Sequence, residues 1–210
     1  MAPLAAEDAL PRSDRIDLNV CTMALPRLLV GRCLTSFLDC LEDRDRYRLN
    51  WICLLDRDQL HREQSASRDC YAKTLDQIRD LVPLFDRSIL VEPEYHRGYT
   101  DACSDVLTRA VYDILWIPHD WLWTKPFKLA DVLSVTDDWF SFGPIGDYMG
   151  SRATSPTPPI FYRQHVVGYL RAHFPCHFHE PALAGVLKDK FDLTVLGITG
   201  EVCRRLGHKQ

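Results

Sequence analysis

The short apolar run Ile114-Leu115-Trp116-Ile117 ends abruptly in Pro118-His119-Asp120-Trp121, which sets an imidazole and a carboxylate side by side. Two further apolar runs, residues 49–55 and 88–92, deliver Asp56 and Glu92 at their carboxyl ends. A single acid in such a place means little, because charged residues ordinarily stay outside. Acids at successive run ends point instead to one polar edge that faces a ligand. Downstream, His173, Cys176, His177 and His179 crowd together. Their H-x3-H-x-H spacing around a proline fits none of the common zinc patterns, and no second ligand cluster lies near it. Glu180 precedes Pro181 and a helical stripe of Leu183, Val186 and Leu187. It therefore stands at a helix amino end, where a carboxylate can complement the dipole without doing chemistry.

The elements that must position these groups follow from periodicity. Residues 16–22 alternate toward a strand ending at Thr22, and from Pro26 a helix is expected with Leu29, Cys33, Phe37 and Leu41 as its apolar stripe. Residues 49–55 form a second strand, 67–84 a second helix, 88–92 a third strand, 100–112 a third helix and 113–118 a fourth strand. Strands alternating with helices make an α/β fold with a mostly parallel, Rossmann-like central sheet covered on both faces. Such sheets bind ligands beyond the carboxyl ends of their strands. Thr22, Asp56, Glu92 and His119-Asp120 should converge there.

Composition narrows the class of protein. The 210 residues are 46% hydrophobic and 26% charged, and 25 basic against 29 acidic residues leave a net charge of -4. That balance exerts no general pull on nucleic acid or anionic membrane. No apolar run approaches the roughly 20 residues of a membrane span, so no membrane span is expected. The first 15 residues read as a loose tail without a secretory pattern. The eight cysteines are scattered with no CxxC, several inside apolar runs, which suits a cytoplasmic protein with free thiols. Residues 149–159, rich in Pro, Ser and Thr, read as a surface loop.

The order of these pieces resembles the family-2-like nucleotide-sugar glycosyltransferases of the GT-A fold. DLNVCTMALPRLLVGRCLTSFLDCL resembles their first strand, Thr-containing loop and following helix, with Arg32-Cys33-Leu34-Thr35-Ser36-Phe37 as the helix pattern. WICLLDRD resembles their second strand with its terminal Asp, and EPEYHRGYTDACSDVL the stretch where a basic residue and a Gly precede a small-residue helix. ILWIPHDW stands where the family carries its D-x-D metal motif, with Pro118 and His119 before the one remaining acid.

The resemblance implies a single domain over residues 16–210, with a donor nucleotide-binding half at 16–123 and an acceptor-binding half at 124–210. Thr22 and Asp56 would contact the base and ribose of a nucleotide-diphosphate sugar, with Arg97 and Gly98 near the ribose or sugar. Asp120 would bind a divalent metal, Mn2+ or Mg2+, bridging it to the diphosphate, and His119 could add a nitrogen, which manganese accepts. Glu180 would be the catalytic base of an inverting transfer, with Asp137, Asp138 or Asp147 as substitutes. At the chain end VCRRLGHKQ resembles a closing segment whose His completes the metal site. His208 would take that role, or Arg204 and Arg205 would neutralise the diphosphate instead. The acceptor would bear a hydroxyl: a glycan, a small molecule, a protein or a modified DNA base.

For the residues by themselves, other readings remain. Arg97 could simply pair with Glu92 or Glu94, and Trp139, Phe140, Phe142 and Tyr148 could stack on a sugar face or fill the core. A nucleotidyltransferase would show a Gly-rich phosphate loop after the first strand, which TMALPRLLVG does not. A non-catalytic nucleotide- or sugar-binding module on the same fold is the remaining rival.

Overall fold

The computed structural model describes residues 14–57, 65–142, 159–173, 190–195 and 202–205. Its first half alternates as expected: β1 (Ile16–Ala24), α1 (Val30–Cys40), β2 (Tyr47–Leu55), α2 (Ser65–Leu81), β3 (Arg87–Val91), α3 (Gly98–Leu107) and β4 (Ile114–Trp116). The rest contributes β5 (Trp121–Trp123), α4 (Leu129–Val135), β6 (Trp139–Ser141), β7 (Ile160–Tyr162), α5 (Gln164–His173), β8 (Leu193–Val195) and β9 (Cys203–Arg205). The main sheet has the order β3-β2-β1-β4-β7-β6-β8. Pairing is parallel from β3 through β4, β7 runs antiparallel to both β4 and β6, and β8 is parallel to β6. β5 and β9 form a separate antiparallel pair.

β1 and β2 are buried along most of their length, and the apolar run of residues 51–55 is continuous because both faces of the sheet are covered. Side chains alternate along a strand, so Leu18 and Val20 join Phe37, Trp51, Leu55 and Trp123 on one face. Cys21, Ile52 and Leu54 join Val106, Trp116 and Val167 on the other. The stripe of α1 is buried as its spacing requires, with Cys33 and Phe37 fully enclosed. Truncating a buried ring such as Phe37 to Ala costs about 3–5 kcal/mol.

Several boundaries differ from the periodicity. β1 continues past Thr22 because Met23 and Ala24 still find register partners in Leu54 and Leu55. The helix after Pro26 starts only at Val30, since Leu28 takes a left-handed conformation (φ 55°) that no helix tolerates. The third helix begins and ends earlier than 100–112, at Gly98–Leu107. Trp139, Phe140 and Phe142 settle as core, at 1%, 2% and 4% exposure, which rules out sugar stacking by these rings. Tyr148 lies outside the described residues, as does the 149–159 loop apart from Pro159, whose carbonyl accepts from Phe142 N–H at 3.0 Å. Buried Asp43 caps α4, its two oxygens accepting from the Leu129 and Ala130 amides at 2.8 and 2.9 Å.

Candidate functional site at the carboxyl edge of the sheet

β1 lies between the two strands that deliver the candidate acids. Ala24 pairs with Leu55, and the next amide, Asp56 N–H, donates to the Ala24 carbonyl at 2.9 Å. On the other side Cys21 pairs with Trp116, and Ile117 N–H donates to the Cys21 carbonyl at 2.8 Å. His119 Nδ1 then donates to the Met23 carbonyl at 3.0 Å. Asp56 and the His119-Asp120 turn thus leave the sheet on either side of the same strand end.

Asp56 is 1% exposed, yet it is densely solvated by the protein itself. Oδ1 accepts from Arg57 N–H at 2.8 Å and Arg97 N–H at 2.9 Å. Oδ2 accepts from Gly98 N–H at 3.1 Å and lies 3.2 Å from His96 Nδ1. The carboxylate therefore fixes the loop that opens α3, including Gly98 with its φ of +75°, where only glycine is unstrained. Beside it, Arg57 lies over the Tyr71 ring at 5.5 Å, and the Tyr71 hydroxyl donates to Glu92 at 3.2 Å. Burial and then Glu92 push the Tyr71 phenol up to about 12.

Arg97 does not pair with Glu92 or Glu94. Its guanidinium grips Asp105 in a two-pronged bond of 3.0 and 3.2 Å, and donates to the Tyr95 hydroxyl at 2.6 Å. Asp105 lies eight residues on, two turns into α3, within reach of a long side chain at the helix start. The bond to Asp105 raises the guanidinium pKa further above its ordinary value.

The 118–120 turn is anchored from below. The Cys33 thiol donates to the Pro118 carbonyl at 3.4 Å, and Ser36 Oγ accepts from Trp123 N–H at 3.0 Å. Trp123 stacks on Phe127 at 4.6 Å and packs against Phe37 at 5.3 Å, so the turn rests on a rigid aromatic floor. His119 and Asp120 are both 7% exposed. The bond to Met23 places the ring hydrogen on Nδ1, leaving the lone pair of the neutral imidazole on Nε2. β9 returns to this spot, pairing Arg205 with Trp121 and Arg204 with Leu122.

The crystal structure of S. aureus TarS superposes with a TM-score of 0.61 at 12% identity, over 91% of this chain and 37% of that one. S. aureus TarS 1-349 in complex with UDP gives 0.58 at 14% identity, over 86% and 58%. The same fragment in complex with UDP-GlcNAc gives 0.51 at 14% identity, over 73% and 47%.

The fold is that of the GT-A glycosyltransferases.

This chain spans less than two thirds of the length of each of those structures. No protein-family model matches it, and no curated protein does.

Within this GT-A sheet the expected residues fall into distinct places. Asp56, Arg97 and Gly98 come together in one bonded loop, and His119 and Asp120 in one turn. Thr22 sits inside β1 at 0% exposure, facing the core side shared by Val20 and Ala24. Asp137 and Asp138 precede Trp139, which pairs with Tyr162, itself paired with Ile114 at the start of β4. They stand at the opposite edge from Asp120. Glu180, Asp147 and His208 lie outside the described residues, as do Cys176, His177 and His179. Among the described residues no group of three or more His, Cys, Asp or Glu side chains is placed to hold a metal ion. No described helix is long and apolar enough to cross a membrane. His96 was not foreseen; its only sequence signal is its place beside Arg97-Gly98.

Proposed function

We propose that this chain transfers a sugar from a nucleotide-diphosphate donor to an acceptor hydroxyl, by inversion and with a divalent metal. The observation that carries the reading is the shared strand end. A buried acid with its ordered loop and a His-Asp turn flank β1 at the edge where such sheets take ligands. The solved neighbours that share this fold are recorded with UDP and UDP-GlcNAc.

Asp120 and the Nε2 face of His119 suit a hard or borderline cation that draws its remaining ligands from diphosphate oxygens. When bound, that cation would offset the charge gathering on the departing nucleoside diphosphate. Arg204 and Arg205, whose backbone in β9 pairs with Leu122 and Trp121, would help to neutralise the diphosphate. The Asp56 loop orients the nucleoside, with Arg97 and Gly98 next to it. Glu180 takes the proton from the attacking hydroxyl, and the half beyond residue 123 receives the acceptor.

The test is transfer or hydrolysis of UDP-glucose, UDP-GlcNAc and GDP-mannose with and without manganese. Metal-dependent release of nucleoside diphosphate from one donor is expected. A second reading, a binding module that has lost catalysis, draws on the single carboxylate at the D-x-D position. It predicts nucleotide binding with no turnover of any donor.

A further inference from the structure

Asp56 ends β2 where a nucleoside would be read, but its own oxygens face inward. Each oxygen already meets two donors of the protein: Arg57 and Arg97 amides on Oδ1, the Gly98 amide and the His96 ring on Oδ2. A carboxylate has about four lone-pair sites, so Asp56 has little left to offer a base. The ring that it holds is better placed. His96 Nδ1 lies against two acceptors, Asp56 Oδ2 at 3.2 Å and the Arg57 carbonyl. Nδ1 must therefore carry the hydrogen, which leaves the lone pair of the neutral imidazole on Nε2. The His96 side chain is 23% exposed while Asp56 is 1% exposed, so the pair runs from the interior outward. Nε2 lies by Gly98, about where a methyl on that glycine would come within 4.0 Å.

We propose that His96 Nε2, oriented by Asp56, is the hydrogen-bond acceptor that reads the nucleobase of the donor, selecting bases that present a ring N–H. This rests on the reading of the edge as a nucleotide-sugar site. Uracil at N3 and guanine at N1 carry such a hydrogen between or beside carbonyls. Adenine and cytosine offer bare ring nitrogens at the corresponding edge and would set lone pair against lone pair. A site built to satisfy a hydrogen bond rejects partners lacking it more strongly than shape alone does. Arg57 over Tyr71 borders the same loop and can offer a flat cationic surface to a base.

The experiment is calorimetric titration of UDP, GDP, ADP, CDP and 3-methyl-UDP into the intact chain, with manganese present. The methylated probe replaces only the imide hydrogen, so it interrogates the unaltered protein. UDP or GDP should bind at least about tenfold more tightly than ADP and CDP, and 3-methyl-UDP about tenfold more weakly than UDP. The tighter of UDP and GDP identifies the base. In His96→Ala the gap between UDP and 3-methyl-UDP should close, while His96→Gln, which keeps an acceptor, should restore part of it. Equal binding of UDP and 3-methyl-UDP to the parent, with GDP no tighter than ADP, overturns the role of His96 and leaves the nucleotide site standing. Binding of none of the five overturns both.

Discussion

Two Asp–His pairs mark the two edges of the sheet, and they differ in which ring nitrogen is used. At the carboxyl edge Asp56 holds His96 through Nδ1, the carboxylate almost wholly buried and the ring partly open. At the other edge Asp138 Oδ1 lies 2.6 Å from His165 Nε2, while Oδ2 accepts from Asp192 N–H at 2.7 Å. There the ring is 54% exposed and Asp138 itself 22% exposed. The second pair clasps the starts of β6, β8 and α5; the first holds a loop in a left-handed turn next to a strand end. With His96 as the proposed base reader, the same two side chains make a clamp at one edge and a mount at the other. The two pairs differ in the depth of the carboxylate and in the ring nitrogen that it holds.

The largest effect should come from Asp56→Ala. It leaves the Arg97 and Gly98 amides without their acceptor, at about 1–3 kcal/mol for each buried donor left unpaired. Thermal unfolding should show a lower midpoint, and UDP affinity should fall at least tenfold (roughly 1.4 kcal/mol). A variant with parent-like UDP affinity would remove the distinction between the two edges. Gly98→Ala should follow. Its new methyl has room, since the nearest atom lies at 4.0 Å, so the cost is the backbone at φ +75°, about 1 kcal/mol. Affinity for UDP should drop with it, because the strained loop is the one that Asp56 orders.

Asp138→Asn should do less, and differently. Partial burial pushes the Asp138 carboxyl up, but the Asp192 amide and His165 outweigh it and hold the pKa below its ordinary value of 3.8. A carboxyl depressed on folding contributes stability that is present above the unfolded value and lost as pH falls through the folded one. Asp138→Asn should thus flatten the acid limb of thermal midpoint against pH below about 4, with UDP affinity near neutral pH unchanged. Loss of UDP binding in this variant would mean that the two edges are coupled.

Much of the alternating first half of the fold was legible because each strand end there coincides with a change from apolar to charged residues. Asp56, Arg97, Gly98 and the His119-Asp120 turn all sit where that change occurs. Thr22 lies within β1 and not at its end because the parallel ladder with β2 extends the strand two residues further than its own alternation signals. The Arg97–Asp105 grip crosses two helical turns and depends on how the loop enters α3, which no local spacing reveals. β6, β7 and β8 are three residues each, too short for a period to show, and only their ladders define them. His96 escaped notice for a related reason: its partner lies 40 residues away in the chain, across the β2–β3 connection.

If the edge flanking β1 takes a nucleoside diphosphate together with a metal held at Asp120, metal and nucleotide must bind cooperatively. The direct measurement is a manganese titration at fixed UDP, comparing the parent with Asp120→Asn and His119→Ala. Manganese should tighten UDP binding to the parent by tenfold or more. Asp120→Asn should abolish that enhancement while retaining weak metal-free binding through the Asp56 loop, and His119→Ala should reduce it by a smaller factor. Parent-like manganese enhancement in Asp120→Asn would contradict a metal site at Asp120.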